Sequence, residues 1–216
     1  MPILHFHPFS SFCQKVLIAL YVRGVDFEPN IVDLSDPDQR AALAALWPFA
    51  RFPVWQEGDS GLPETSIIIE HLDTLPADGP RLIPVDPAAA LDARRWDRFF
   101  DWDVSLPMQK IVGDWLRLDG ARDPHGVAQA QAQLGTAYGI AEARLTGRVW
   151  AAGEGFTIAD CAAAPALHYA DLVVPIGPAH PALGAYLARL RAHPGVARVA
   201  CEAAPYAHYF PVPRQS

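Results

Sequence analysis

The sequence predicts a small α/β domain, a proline-rich connection and a larger all-α domain. Three observations predict this. Short apolar runs alternate with helical patterns over the first eighty residues, prolines and glycine crowd 75–87, and only helical periodicity follows. The boundaries read as 1–75 for the α/β domain, 76–87 for the linker and 88–216 for the helical domain.

The elements follow in order. Ile3-Leu4-His5-Phe6 is a strand candidate, and residues 11–23, with Val16-Leu17-Ile18-Ala19-Leu20, carry a helical pattern. Phe27 to Val32 is a second strand candidate. Ser35-Asp36-Pro37 is a turn that leads into the Ala- and Leu-rich helix 38–46. Phe52-Pro53-Val54-Trp55 is a short strand, Gly58-Asp59-Ser60-Gly61 a turn, and Glu64 to about Asp73 a helix. Pro76, Gly79, Pro80, Pro84 and Pro87 mark the linker. Residues 88–117 form a long helix carrying Trp96, Phe99, Phe100 and Trp102, with a kink expected at Pro107. Val127, Ala130, Leu134, Tyr138, Ala141 and Leu145 recur three or four apart on one face of a helix over 125–146. Further helices fit 158–172, 181–192 and a short piece after Pro194.

Composition bounds the function. Of 216 residues, 51% are apolar and 19% charged, enough for a real core. A net charge of −7 without a basic block argues against nucleic acid or an anionic membrane as partner. No apolar run reaches 18 residues, and the N-terminus lacks a charged leader followed by an apolar stretch, so neither a membrane span nor an export signal is expected. Cys13, Cys161 and Cys201 are odd in number and far apart, which fits reduced thiols in a cytoplasmic protein. The absence of CxxC and HExxH leaves no metal expected.

The stretch Phe9-Ser10-Ser11-Phe12-Cys13-Gln14-Lys15-Val16 places hydroxyls and a thiol where a strand gives way to a helix. Free N–H groups and a partial positive charge there suit an anion, including a thiolate. That thiolate belongs either to Cys13 or to a bound ligand. Read alone, Ser10 is also an ordinary N-cap, Pro53 an ordinary strand-start proline, and Glu64-Thr65 a simple helix start.

Four motifs in this order resemble the cytosolic glutathione transferase superfamily over essentially the whole chain. They are Ser10-Ser11-Phe12-Cys13-Gln14-Lys15-Val16, Arg51-Phe52-Pro53-Val54, Glu64-Thr65 and Phe156-Thr157-Ile158-Ala159-Asp160. The flavour is most similar to a bacterial serine-type class. The resemblance implies a thioredoxin-like N-terminal domain and an all-α C-terminal domain. It implies a detoxifying enzyme that conjugates glutathione, its co-substrate, to a small, mostly apolar electrophile, and it implies a homodimer.

It also implies roles. Ser10 would hydrogen-bond the glutathione sulfur, with Ser11 beside it and no tyrosine near the first strand to replace it. Pro53 would follow a cis bond that lets Phe52 pair with the cysteinyl residue. Glu64 and Thr65 would hold the γ-glutamyl end, with Thr65 where the family usually has serine, and Arg51 would take the glycyl carboxylate. Phe12, Trp102, Leu106, Met108 and Ile111 would line the second-substrate pocket, with Gln109 and Lys110 at its mouth. Asp101 or Asp103 would reach the glutathione ammonium across a dimer.

Competing readings are an isomerase of a small unsaturated acid, although that class has cysteine where Phe12 stands, a non-catalytic ligand-binding protein, and a reductase using Cys13. Thr157 and Asp160 read as a capping box with Phe156 and Cys161 as its staple. His5 and His7 read as bland neighbours on one strand face, because no third metal ligand stands near.

Overall fold

The computed structural model describes residues 1–211, so the end of the expected helical domain, 212–216, lies outside the described residues. Two compact units emerge. The first is Met1–Ile83 together with Pro194–Tyr206, and the second is Pro84–His193 with the described residues after Tyr206.

The first unit is built on four strands, β1 (Ile3–Phe6), β2 (Glu28–Ile31), β3 (Val54–Glu57) and β4 (Ser60–Pro63), in the order β2-β1-β3-β4. β1 runs parallel to β2, with Ile3 opposite Glu28, and antiparallel to β3, with Leu4 opposite Trp55. The β1–β2 crossover is α1 (Ser11–Arg23), as a parallel pair requires. β4 lies partly where the sequence suggests only a turn. Glu57 pairs with Ser60, so Gly58-Asp59 is a two-residue hairpin, and Gly58 has the left-handed φ of 59° that such a turn favours. β3 begins at Val54 rather than Phe52, because Pro53 has no N–H for the ladder.

α1 is buried from Cys13 to Leu20, and it ends at Gly24, whose φ is 69°. It packs on α3 (Thr65–Leu72) and on α9 (Pro194–Ala203). A second layer is α2 (Pro37–Leu46), capped by Asp36, whose Leu43 packs with Val32 and Val54. Residues 75–83, which close the first segment of this unit, are tied down by charge. Buried Arg23 pairs with buried Asp73 at 3.2 Å and donates to the carbonyls of Leu75 and Gly79, while Asp73 accepts from the amides of Leu82 and Ile83. A Cβ at Gly79 would stand 2.0 Å from the Val22 carbonyl oxygen, so only glycine fits.

The second unit contains α4 (Pro87–Phe99), a π-helical turn at Phe100–Ser105, α5 (Leu106–Trp115), α6 (Pro124–Leu145), α7 (Ile158–Val173) and α8 (Pro181–Ala192). The break in the long helix is this π turn, which precedes Pro107 rather than centring on it. α7 is the core. Its alanines at 159, 162, 163, 164, 166 and 170 are buried and let α4 and the π turn pack closely against it. The Asp160 carboxylate reaches back to the Thr157 amide at 2.8 Å, and it also accepts from the Ala151 amide at 3.0 Å and the Tyr186 hydroxyl at 2.5 Å. Burial pushes its carboxyl up from the usual range, and these donors pull it back down.

Candidate active site

The first unit gathers three segments with anion-binding chemistry. The first is the turn from β1 into α1. Ser10 caps α1 with extended backbone, φ −73° and ψ 124°. Its amide donates to the His7 carbonyl at 3.0 Å, and its Oγ accepts from the Cys13 amide at 3.4 Å. Gln14 holds the turn from below, donating from Nε2 to the Pro8 carbonyl at 3.0 Å. Ser11 and Phe12 follow as half-buried residues of the first helical turn.

Capping and anion binding are compatible at Ser10. A hydroxyl has two acceptor positions and one donor. The Cys13 amide uses one acceptor, and the O–H, which faces the Cys13 sulfur, can turn to an anion at the helix end. Cys13 is a poor rival. It is fully buried, and burial pushes its thiol up to about 12, against the weaker opposing pull of the Ser10 hydroxyl and the His7 amide. A thiol of that kind carries almost no thiolate at neutral pH.

The second segment precedes β3. The Phe52–Pro53 bond is cis. Ala50, just before, has a left-handed φ of 48°. Arg51 is exposed, with its guanidinium 5.5 Å from the Phe49 ring centre. Pro53 is buried and Phe52 half-buried.

The third segment opens α3. Glu64 is exposed and has φ 73°, and its side chain makes no cap bond. Thr65, buried, is the first helical residue. The amides of this helix end therefore have no capping side chain from Glu64, unlike those of α1, α2 and α4. Non-glycine residues at positive φ cost roughly 1–3 kcal/mol and gather at functional sites. Ala50 and Glu64 are the two among the described residues, and each adjoins a segment singled out from sequence. Nothing in the sequence signals those angles.

The remaining candidates divide by unit. Phe12 lies in the first. Trp102 and Leu106, 60% and 40% exposed, line a groove of about 440 Å³ in the second, together with Asp103, Lys110, Gln129 and Gln133. Lys110, at this groove, is ion-paired with Asp123. Met108 and Ile111 are only 4% and 1% exposed and belong to the helical core, where they do not line the groove. Gln109 is half-buried and also absent from the lining. Asp101 is buried and paired with Arg98 at 2.5 Å, whereas Asp103 is exposed.

His5 and His7 do not share a strand face, because β1 ends at Phe6 and His7 belongs to the turn. His5 bonds Gln56 and Asn30. No group of three or more His, Cys, Asp or Glu able to hold a metal occurs among the described residues. No described helix is long and apolar enough to cross a membrane.

Comparison with known proteins agrees with the fold. Residues 4–80 match the family model described as Glutathione S-transferase, N-terminal domain, and residues 124–189 match Glutathione S-transferase, C-terminal domain. A glutathione S-transferase of Hyoscyamus muticus is 27% identical over 173 residues, covering 77% of this chain and 81% of that protein. A glutathione S-transferase of Methylobacillus flagellatus KT, solved with GSH bound, superposes with a TM-score of 0.85 at 23% identity, covering 92% of this chain and 98% of that one. One from Methylobacterium radiotolerans, in complex with glutathione sulfonate, gives 0.79 at 25% identity over 92% and 93%.

Proposed function

Because the chain belongs to the glutathione S-transferase superfamily, with both halves matched by that family, we propose that it lowers the pKa of the glutathione thiol through Ser10 and directs the thiolate at a small, mostly apolar electrophile. The observation that carries this reading is the geometry of Ser10. Its oxygen is engaged by the Cys13 amide, and its O–H, which faces the buried Cys13 sulfur, can turn to an anion at the end of α1.

The magnitudes suffice. A free thiol titrates near 8.5, and lowering it by about 2 units requires about 2.7 kcal/mol. A hydrogen bond to a charged group contributes roughly 1.5–3 kcal/mol, and a helix N-terminus up to about 2 in favourable geometry. No general base is needed. The thiolate sulfur forms the new carbon–sulfur bond. The displaced electron pair leaves with a leaving group, or it moves onto a conjugated carbon that then takes a proton from water.

The rest of the tripeptide finds matching chemistry. The open helix end at Thr65 suits the γ-glutamyl carboxylate, and exposed Glu64 suits its ammonium. The Phe52 backbone suits strand-like pairing with the cysteinyl residue, and exposed Arg51 suits the glycyl carboxylate. On the helical unit, Trp102 and Leu106 are the exposed apolar candidates for the electrophile, and Met108 and Ile111 are buried.

The test is a pH titration of thiolate absorbance for glutathione bound to the purified protein, followed by conjugation of an activated aryl halide. A bound thiol titrating well below the free value, with conjugation, is expected. Binding with an unshifted thiol would refute the proposal.

A further inference from the structure

His7 is the group at this site that the proposed chemistry leaves unused. It contacts the Ser10 turn in three ways. Its Nδ1 accepts from the Phe9 amide at 3.2 Å, its carbonyl accepts from the Ser10 amide at 3.0 Å, and its own amide donates toward the Cys13 sulfur. Its ring is held from outside the turn. The Phe52 ring stacks at 6.2 Å with 23° between planes, and the Tyr206 ring meets it edge-on at 4.9 Å and 72°. Phe52 precedes the cis proline, so one imidazole connects two of the three segments described above.

We propose that His7 is the positioning residue of the Ser10 turn: its neutral imidazole, clasped by Phe52 and Tyr206, fixes the Phe9 amide and with it the place of the Ser10 hydroxyl. The inference rests on reading Ser10 as the thiolate donor.

The tautomer follows from chemistry. A backbone amide only donates, so Nδ1 carries a lone pair and the neutral ring carries its proton on Nε2. Protonation would put an N–H on Nδ1 facing the Phe9 N–H, and the bond would be lost. The titratable groups that bear on His7 are Asp33, just beyond β2, Tyr206 at its ring edge, and the Cys13 thiol at its backbone amide. Burial outweighs the attraction of Asp33 and holds the imidazole below its ordinary range, so it is neutral at pH 7. Function tied to this bond is complete above that range and fails as pH falls through it.

Two variants of the full chain separate the roles. His7→Phe keeps a flat ring between Phe52 and Tyr206 but removes the acceptor. His7→Asn removes the titration and keeps an acceptor at the two-residue reach of an Asx turn. The first readout is the protection of the Phe9 amide against hydrogen exchange, measured against pH by NMR without glutathione. The second is the kcat and KM of conjugation.

In the wild type, Phe9 protection should fall on acidification. It should be pH-independent in His7→Asn, and in His7→Phe it should stay at all pH roughly fivefold below the wild-type value at neutral pH, the factor expected for one neutral hydrogen bond. In His7→Phe, kcat should fall by a similar factor with KM for glutathione little changed, and His7→Asn should restore most of it. Wild-type protection and kcat in His7→Phe would overturn the inference. So would a flat pH dependence in the unmodified protein, a measurement that needs no variant to fold. Ser10→Ala run in parallel keeps the two readings apart. A bound-thiol pKa in that variant as low as in the wild type defeats Ser10 as donor, whereas normal Phe9 protection in His7→Phe defeats His7 as holder of the turn whatever Ser10 does.

Discussion

Replacing Ser10 separates its two roles, because they have different magnitudes and different readouts. The cap bond to the Cys13 amide is long at 3.4 Å, so its loss belongs at the low end of the range for caps, about 0.5–1 kcal/mol. For a chain of this size that is a fall in Tm of about 2–3 °C. The hydroxyl bond to a thiolate contributes roughly 1.5–3 kcal/mol, or about 1–2 units in the pKa of bound glutathione at about 1.36 kcal/mol per unit. Ser10→Ala loses both. Ser10→Gly loses the hydroxyl but costs a cap only a few tenths of a kcal/mol, so its stability should stay close to that of the wild type. Both variants should show the same raised thiol pKa. Their kcat should drop about tenfold or more near pH 6.5, and the deficit should shrink above pH 8.5, where even unassisted thiol ionises. Ser10→Thr keeps a hydroxyl and should retain a lowered thiol pKa. The assays are thiolate absorbance against pH, kcat against pH, and thermal unfolding. A Ser10→Gly enzyme with the wild-type thiol pKa would refute the role of the hydroxyl. An activity loss in Ser10→Ala that only follows the unfolded fraction would reduce Ser10 to a cap.

Three further outcomes are expected. Cys13→Ala should keep most conjugating activity, and native Cys13 should resist a thiol reagent at neutral pH in labelling followed by mass spectrometry. Because the folded-state thiol is raised to about 12 while an unfolded one titrates near 8.5, its contribution to stability is complete below about pH 8.5 and declines as pH rises toward 12, visible as an alkaline fall in Tm that Cys13→Ala lessens. Thr65→Val should raise the KM for glutathione about fivefold to tenfold with kcat within about twofold, since one hydroxyl bond to a carboxylate is lost and the helix end remains. Asp160→Ala should cost about 3–5 kcal/mol in denaturant unfolding, the sum of a lost cap and two abandoned buried donors, the Ala151 amide and the Tyr186 hydroxyl, with kcat per folded molecule unchanged.

What could be read from the sequence divides along the range of the interactions involved. Helices were legible because their signals are local. Asp36-Pro37 starts α2, Gly24 stops α1, and the apolar spacing of Val127 to Leu145 matches α6. The turn carrying Ser10 was legible for the same reason. β4 was not, because Gly58 and Asp59 are turn residues whether or not the next residues pair, and the pairing of Trp55 with Leu62 depends on both strands being present. The π turn before Pro107 left no mark, since its residues are as helical in type as their neighbours. Met108 and Ile111 are buried in the helical unit, a placement that helical spacing alone does not announce.

The capping box at Thr157-Asp160 shows how far a local motif reaches. Its three-residue spacing announces a helix start and a carboxylate turned back toward its own chain. One carboxylate has about four lone-pair positions, however, and the box accounts for only part of them. In a buried site the remainder must be filled or the charge is too costly. The Ala151 amide and the Tyr186 hydroxyl, 9 and 26 residues away, fill them. The same reasoning applies to His7. Its position in the chain announces only a strand end, but a half-buried imidazole must settle on one tautomer, and the amide that selects it lies two residues on. Each motif tells the reader that a polar group is present. The obligation to satisfy that group where water is excluded tells the reader to search for partners, and only the folded chain names them.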